Sequence, residues 1–98
     1  MSVLVARLLT NEEILGKQIS ITDEYIEFEN LVVVHQAPSQ NNSEATTIFL
    51  APYAPLSNSK KILIRKSLLV CTYEPMVDLL NKYNSVFGSG IVIPGGIS

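Results

Sequence analysis

The 98-residue sequence has no tryptophan, one histidine and one cysteine, and only 16% of its residues are charged. Cys71 has no second cysteine to pair with, and within "LLVCTY" it reads as a small buried hydrophobe in a reducing compartment rather than a reactive thiolate. His35 ends an apolar stretch and lacks Cys or carboxylate neighbours at ligand spacing, which points away from a metal centre and toward a packing or surface role. A nucleophile elbow, a phosphate-cradling glycine loop and a Ser-His-Asp set are all missing. The adjacent acids Glu12-Glu13 and Asp23-Glu24 fall in turn-like segments where solvated charge is ordinary. The expectation is a non-enzymatic protein without cofactor or metal. No apolar run approaches the roughly 20 residues that span a bilayer. The opening "MSVLVARLLTNEE" lacks the long apolar region and small-residue cleavage site of a signal peptide, so a cytoplasmic protein without membrane contact is expected.

Seven Lys plus Arg against nine Asp plus Glu give a formal net charge of −2. General affinity for polyanions rests on phosphate neutralisation, so any nucleic-acid site here must be local. The hydrophobic share of 47% is slightly rich for a lone soluble monomer. A single domain that shares some apolar surface with other subunits accounts for that share.

Along the chain, "VLVARLL" at 3–9 and "EILGKQISI" at 13–21 flank Thr10-Asn11-Glu12 and read as a hairpin. Gly16 removes a side chain inside the second strand, where a strongly curved sheet needs room, and this favours a closed barrel. Thr22-Asp23-Glu24 makes the next turn. A third strand over 25–35 then puts Ile26, Phe28, Val32 and Val34 on one face and Tyr25, Glu27 and Glu29 on the other. The polar run 37–45 reads as a mobile loop. "TTIFLAPY" at 46–53 is β-favouring up to Pro52, and "KILIRKSLLVCTY" at 61–73 is expected to turn a corner at Arg65-Lys66. Pro75 opens an amphipathic helix whose Met76, Leu79, Leu80, Tyr83 and Phe87 recur at helical spacing, with Gly88 as its stop. The predicted organisation is one domain: a barrel over 1–74, a helix packed on it over 75–88, and a glycine-rich tail over 89–98.

The strand order, "GKQISITDEYIE" from Gly16 to Glu27 and "ILIRKSLLV" from Ile62 to Val70 resemble the two motifs of the Sm and Lsm family of small β-barrels. The added helix and the ending "NKYNSVFGSGIVIP" resemble short Sm-like proteins of T-even-like phages of cyanobacteria, which would put the protein in a host cytoplasm. The resemblance implies a mainly β fold, a five-stranded, strongly bent Sm-like β-barrel with one C-terminal amphipathic α-helix. It also implies a homo-oligomeric ring of about five to seven subunits, closed by edge-to-edge strand pairing. An exposed sheet edge is an aggregation hazard unless it is used, so residue chemistry points the same way. The candidate edges are 46–51 and 67–73, with Ile48, Phe49, Leu50, Leu68, Leu69 and Val70 as interface residues. Either 46–53 or "KILIR" could be the fourth strand, or both could be one long strand broken by prolines.

Carried over position by position, the family's RNA site falls on Tyr25 and Arg65 as base-stacking groups and on Glu27 where an Asn would read the base edge. Aromatic and guanidinium planes accept any base, at about 1–3 kcal/mol per stacked base. Glu27 is a departure, because a carboxylate accepts hydrogen bonds but donates none. Lys66, which replaces the family's glycine, would face the same pore. Asp23 would orient Arg65, and Ser67 would add a hydroxyl donor. Two functions follow: a ring that binds single-stranded RNA or acts as an RNA chaperone, or an oligomeric scaffold that contacts protein through the acidic stripe and through the Ile91-Val92-Ile93 tail. A bland alternative treats Tyr25, Glu27 and Glu29 as a solvated strand face with Arg65 paired to a carboxylate.

Overall fold

The computed structural model describes residues 2–38 and 46–87. Their elements are β1 (Val3–Leu8), β2 (Glu13–Ile21), β3 (Tyr25–Pro38), β4 (Thr46–Pro52), β5 (Lys61–Arg65), a 3-10 turn (Lys66–Leu68), β6 (Leu69–Tyr73) and α1 (Val77–Phe87). Every strand pairing is antiparallel, in the order β4-β3-β2-β1-β6 with β5 also on β3. Among the described residues the fold is mainly β with one helix, as expected, but with six strands rather than five. β4 pairs with the far half of β3, from Val32↔Pro52 to Pro38↔Thr46. β5 pairs with the near half, from Tyr25↔Arg65 to Glu29↔Lys61. Both lie on the edge of β3 that β2 leaves free. The two candidates for the fourth strand therefore form one edge in two pieces, and the excursion at 53–60 that begins just after Pro52 separates them.

The expected closed barrel does not form among the described residues. The 3-10 turn directly after β5 carries the backbone over to β1, where Leu9 N–H bonds to Leu68 O at 2.8 Å, so β5 and β6 end at opposite margins of the sheet. Each margin keeps an unpaired edge among the described residues. The polar loop starts later than expected, because residues 37 and 38 continue β3; its remainder, Gly88 and the tail lie outside the described residues. The helix begins at Val77 rather than Pro75, within the usual latitude of helix ends.

Two clusters hold the sheet, one on each face. Ala6, Leu8, Ile14, Ile26, Phe28, Leu31 and Ile64 form the first. Val5, Leu15 and Val32 form the second with Leu79 and Tyr83 of α1, which covers that face. Gly16 is buried at the first: a Cβ there would come within 2.7 Å of Leu31 Cδ1 and 3.3 Å of Phe28 Cβ, and the β2–β3 register slips between Leu15 and Lys17. The bend anticipated at this glycine is thus a bulge that lets Phe28 and Leu31 pack onto bare backbone.

β3 corrects the expected alternation. Ile26 and Phe28 belong to the first cluster, whereas Val32 and Val34 belong to the second. The switch occurs at Asn30, whose φ of 54° is left-handed, a conformation that Asn tolerates better than most residues. Backbone hydrogen bonds fix the break. Asn30 N–H donates to Lys60 O at 2.9 Å, and Tyr53 N–H donates to Leu31 O at 3.1 Å. The Tyr83 hydroxyl donates to the carbonyls of Asn30 at 2.9 Å and Glu29 at 3.2 Å. Burial, with a smaller contribution from the Glu29 charge, pushes the Tyr83 pKa up to about 12. Cys71 also departs from expectation: it is exposed, on edge strand β6 opposite Arg7, which is exposed too.

Candidate nucleic-acid interface

The turn before β3 is built by Thr22. Its backbone N–H donates to Tyr25 O at 2.8 Å, and its Oγ1 accepts from Tyr25 N–H at 3.0 Å. This side-chain-to-backbone closure is the job for which a Thr-Asp pair suits a turn. Lys66 N–H then donates to Glu24 O at 2.7 Å, which ties the turn to the corner that ends β5. The corner needs no glycine, since Arg65 is extended and Lys66 enters a 3-10 turn closed by Leu69 N–H on Lys66 O.

As a result Tyr25 and Arg65, 40 residues apart in sequence, are direct cross-strand partners. The guanidinium carbon lies 5.2 Å from the ring centroid, and Arg65 Nη2 donates to the Tyr25 hydroxyl at 3.0 Å. The guanidinium therefore lies over the ring, with Tyr25 half-buried and Arg65 exposed. Arg65 turns to this hydroxyl rather than to a carboxylate, and the expected role of Asp23 in orienting it is taken by Tyr25. Asp23 itself is exposed in the turn. Among the described residues the ion pair is Arg7–Glu13 at 3.1 Å, on the far strands.

Glu27 shares the face of Tyr25 and accepts from the Ser20 hydroxyl at 3.0 Å. Glu29 lies between two lysines, its cross-strand partners Lys17 on β2 and Lys61 on β5. Opposite charges at cross-strand positions offset the acidic stripe, so it is less repulsive to a phosphate than its sequence suggests. Lys66 is half-buried beside the site, while Ser67 is exposed. Leu63, opposite Glu27 and 58% exposed, adds an apolar wall. Ser20, Lys17, Lys61 and Leu63 escaped the sequence reading. Leu63 was legible as the outward residue between Ile62 and Ile64, whereas the others needed the strand register.

The interface candidates divide by phase. Phe49, Leu68 and Val70 point out at the two margins, 51%, 44% and 58% exposed, whereas Ile48, Leu50 and Leu69 pack inward against the clusters. On β6 the Tyr73 hydroxyl donates to Glu13 Oε2 at 2.6 Å. That hydrogen bond, then burial, then the Glu13 charge push its pKa up to about 12. A hollow of about 420 Å³ beneath Tyr73, Met76 and Ile48 is lined by neither Tyr25 nor Arg65. His35 is exposed, and no group of three or more metal-ligating side chains converges among the described residues. No described helix is long and apolar enough to cross a membrane.

The chain matches no protein-family model and no curated protein.

Proposed function

We infer that the protein is an Sm-like, non-enzymatic, ring-forming cytoplasmic protein that binds single-stranded RNA at Tyr25 and Arg65. The observation that carries this reading is the placement of a guanidinium over an aromatic ring at the joined ends of β3 and β5. A base slipped against the ring would replace a cation–π contact with two stacking contacts. The free margins support the ring. β6 on one side and β4 with β5 on the other each offer unpaired backbone and outward apolar side chains, so a second copy can add its β6 to the outer edge of the first copy's β4 or β5. Repeated around an axis, that pairing completes the barrel that the described strands leave open and brings copies of the Tyr25 site together.

Fluorescence anisotropy with labelled single-stranded RNA of several compositions tests the reading. Binding should weaken as salt rises, and Arg65→Ala should abolish it. Absence of binding at low salt to every composition would reject it.

A scaffold role without RNA is the second reading. It is favoured by Leu56 at the tip of the 53–60 excursion, which is 98% exposed, while Ser57 Oγ and Ser59 Oγ hydrogen bonds order the same loop. An exposed Leu on an ordered loop suits a protein contact. Pull-downs that lose a partner on Leu56→Ser while RNA has no effect would favour this reading over the first.

A further inference from the structure

This inference rests on the reading of Tyr25 and Arg65 as a base-stacking pair and concerns which base they hold. Glu27 lies two residues along β3 from Tyr25 on the same face, a rise of roughly 7 Å, so it stands at the rim of a base laid on the ring. One of its oxygens, Oε1, is held by the Ser20 hydroxyl at 3.0 Å. That bond fixes the carboxylate and leaves Oε2 free to accept. Leu63 on the other side supplies an apolar wall and no competing donor.

A fixed carboxylate is an acceptor with two adjacent oxygens, and the four bases answer it differently. Uracil presents one N–H between two carbonyls, each of which faces the carboxylate as acceptor against acceptor. Cytosine and adenine each present an amino group beside a ring-nitrogen acceptor. Guanine alone presents two neighbouring donors, N1–H and the N2 amino group, with the spacing of the carboxylate oxygens. We propose that Glu27, held by Ser20, makes the Tyr25–Arg65 site selective for guanine in single-stranded RNA. Lys17 and Lys61 flank Glu29 on the same face and limit the repulsion that this acidic stripe exerts on the RNA backbone.

The test compares a short uridine oligomer with the same oligomer carrying one guanosine or one inosine, by anisotropy at fixed low salt. Inosine keeps N1–H but lacks the N2 amino group. Guanosine should tighten binding by about tenfold over uridine, the discrimination of one bidentate pair, and inosine should lose most of that gain. Glu27→Gln keeps the shape and the Ser20 bond but offers one donor and one acceptor, so it should abolish the guanosine preference and raise affinity for uridine. Equal or uridine-favoured binding by the wild-type protein, or a guanosine preference that survives Glu27→Gln, would overturn the guanine assignment. Loss of that binding on Arg65→Ala would leave the RNA reading standing. Failure to bind any of the three oligomers would overturn both.

Discussion

The two halves of β3 behave as different strands. From Tyr25 to Glu29 the strand buries Ile26 and Phe28 on one face and leaves Tyr25, Glu27 and Glu29 on the other, with β5 alongside. Beyond Asn30 the phase is reversed: Val32 and Val34 pack toward the helix, with β4 alongside. The helix face is apolar where α1 covers it and polar where Tyr25 and Arg65 stand. A single left-handed Asn separates the half covered by α1 from the half whose Tyr25 face is left uncovered, and Tyr83 reaches from the helix to hold the junction.

The largest expected effect falls on the cores that define the two halves. Phe28→Ala should cost about 3–5 kcal/mol and Leu79→Ala about 2–5 kcal/mol, read from urea unfolding midpoints. If Leu79→Ala cost nothing, the helix would not be what buries the far half.

Next comes the junction. Tyr83→Phe leaves two carbonyls without their hydroxyl donor and should cost about 1–3 kcal/mol. The tyrosines also set an alkaline limit. Each has its pKa raised from 10.0 to about 12 in the folded chain, so their contribution is complete below pH 10 and is lost as the pH climbs toward 12. Tyr83→Phe should make the fall over that window shallower, with the Tyr73 share remaining. An unchanged alkaline profile would detach Tyr83 from the junction.

Asn30 itself gives a smaller signal. Asn30→Ala should cost about 1–2 kcal/mol because a Cβ without a local polar partner is strained at φ 54°, whereas Asn30→Gly should cost much less. Equal costs would mean that the side chain, not the backbone, matters there.

The smallest stability change belongs to the exposed face of the near half. Arg65 is exposed, so Arg65→Ala should shift stability by no more than about 0.5 kcal/mol while it removes RNA binding. A large stability loss would make the Tyr25–Arg65 contact structural.

Local chemistry made much of this legible. The hairpin, the strand start at Tyr25, the corner at Arg65-Lys66 and the helix stripe from Leu79 to Phe87 all carry turn residues or a clear period, and each lies close to its expected place. The phase reversal was hidden because the run Leu31 to Val34 is apolar at every position and so carries no alternation from which to read a face. Extrapolation from Ile26 and Phe28 across Asn30 then placed Val32 and Val34 on the wrong side. Cys71 misled for a similar reason, since an apolar run on an edge strand is only half covered. Tyr25 and Arg65 were legible as a pair, whereas Ser20 beside Glu27 depends on a bulge between Gln18 and Ser20 that no spacing announces.

Native mass spectrometry of the full chain at micromolar concentration, with and without a short single-stranded RNA, tests the central claim most directly. The expected spectrum holds one ring, a whole multiple of 10.8 kDa, that gains the mass of RNA in wild type but not in Arg65→Ala. A 10.8 kDa monomer that takes up no RNA would contradict both the shared edges and the site they are proposed to assemble.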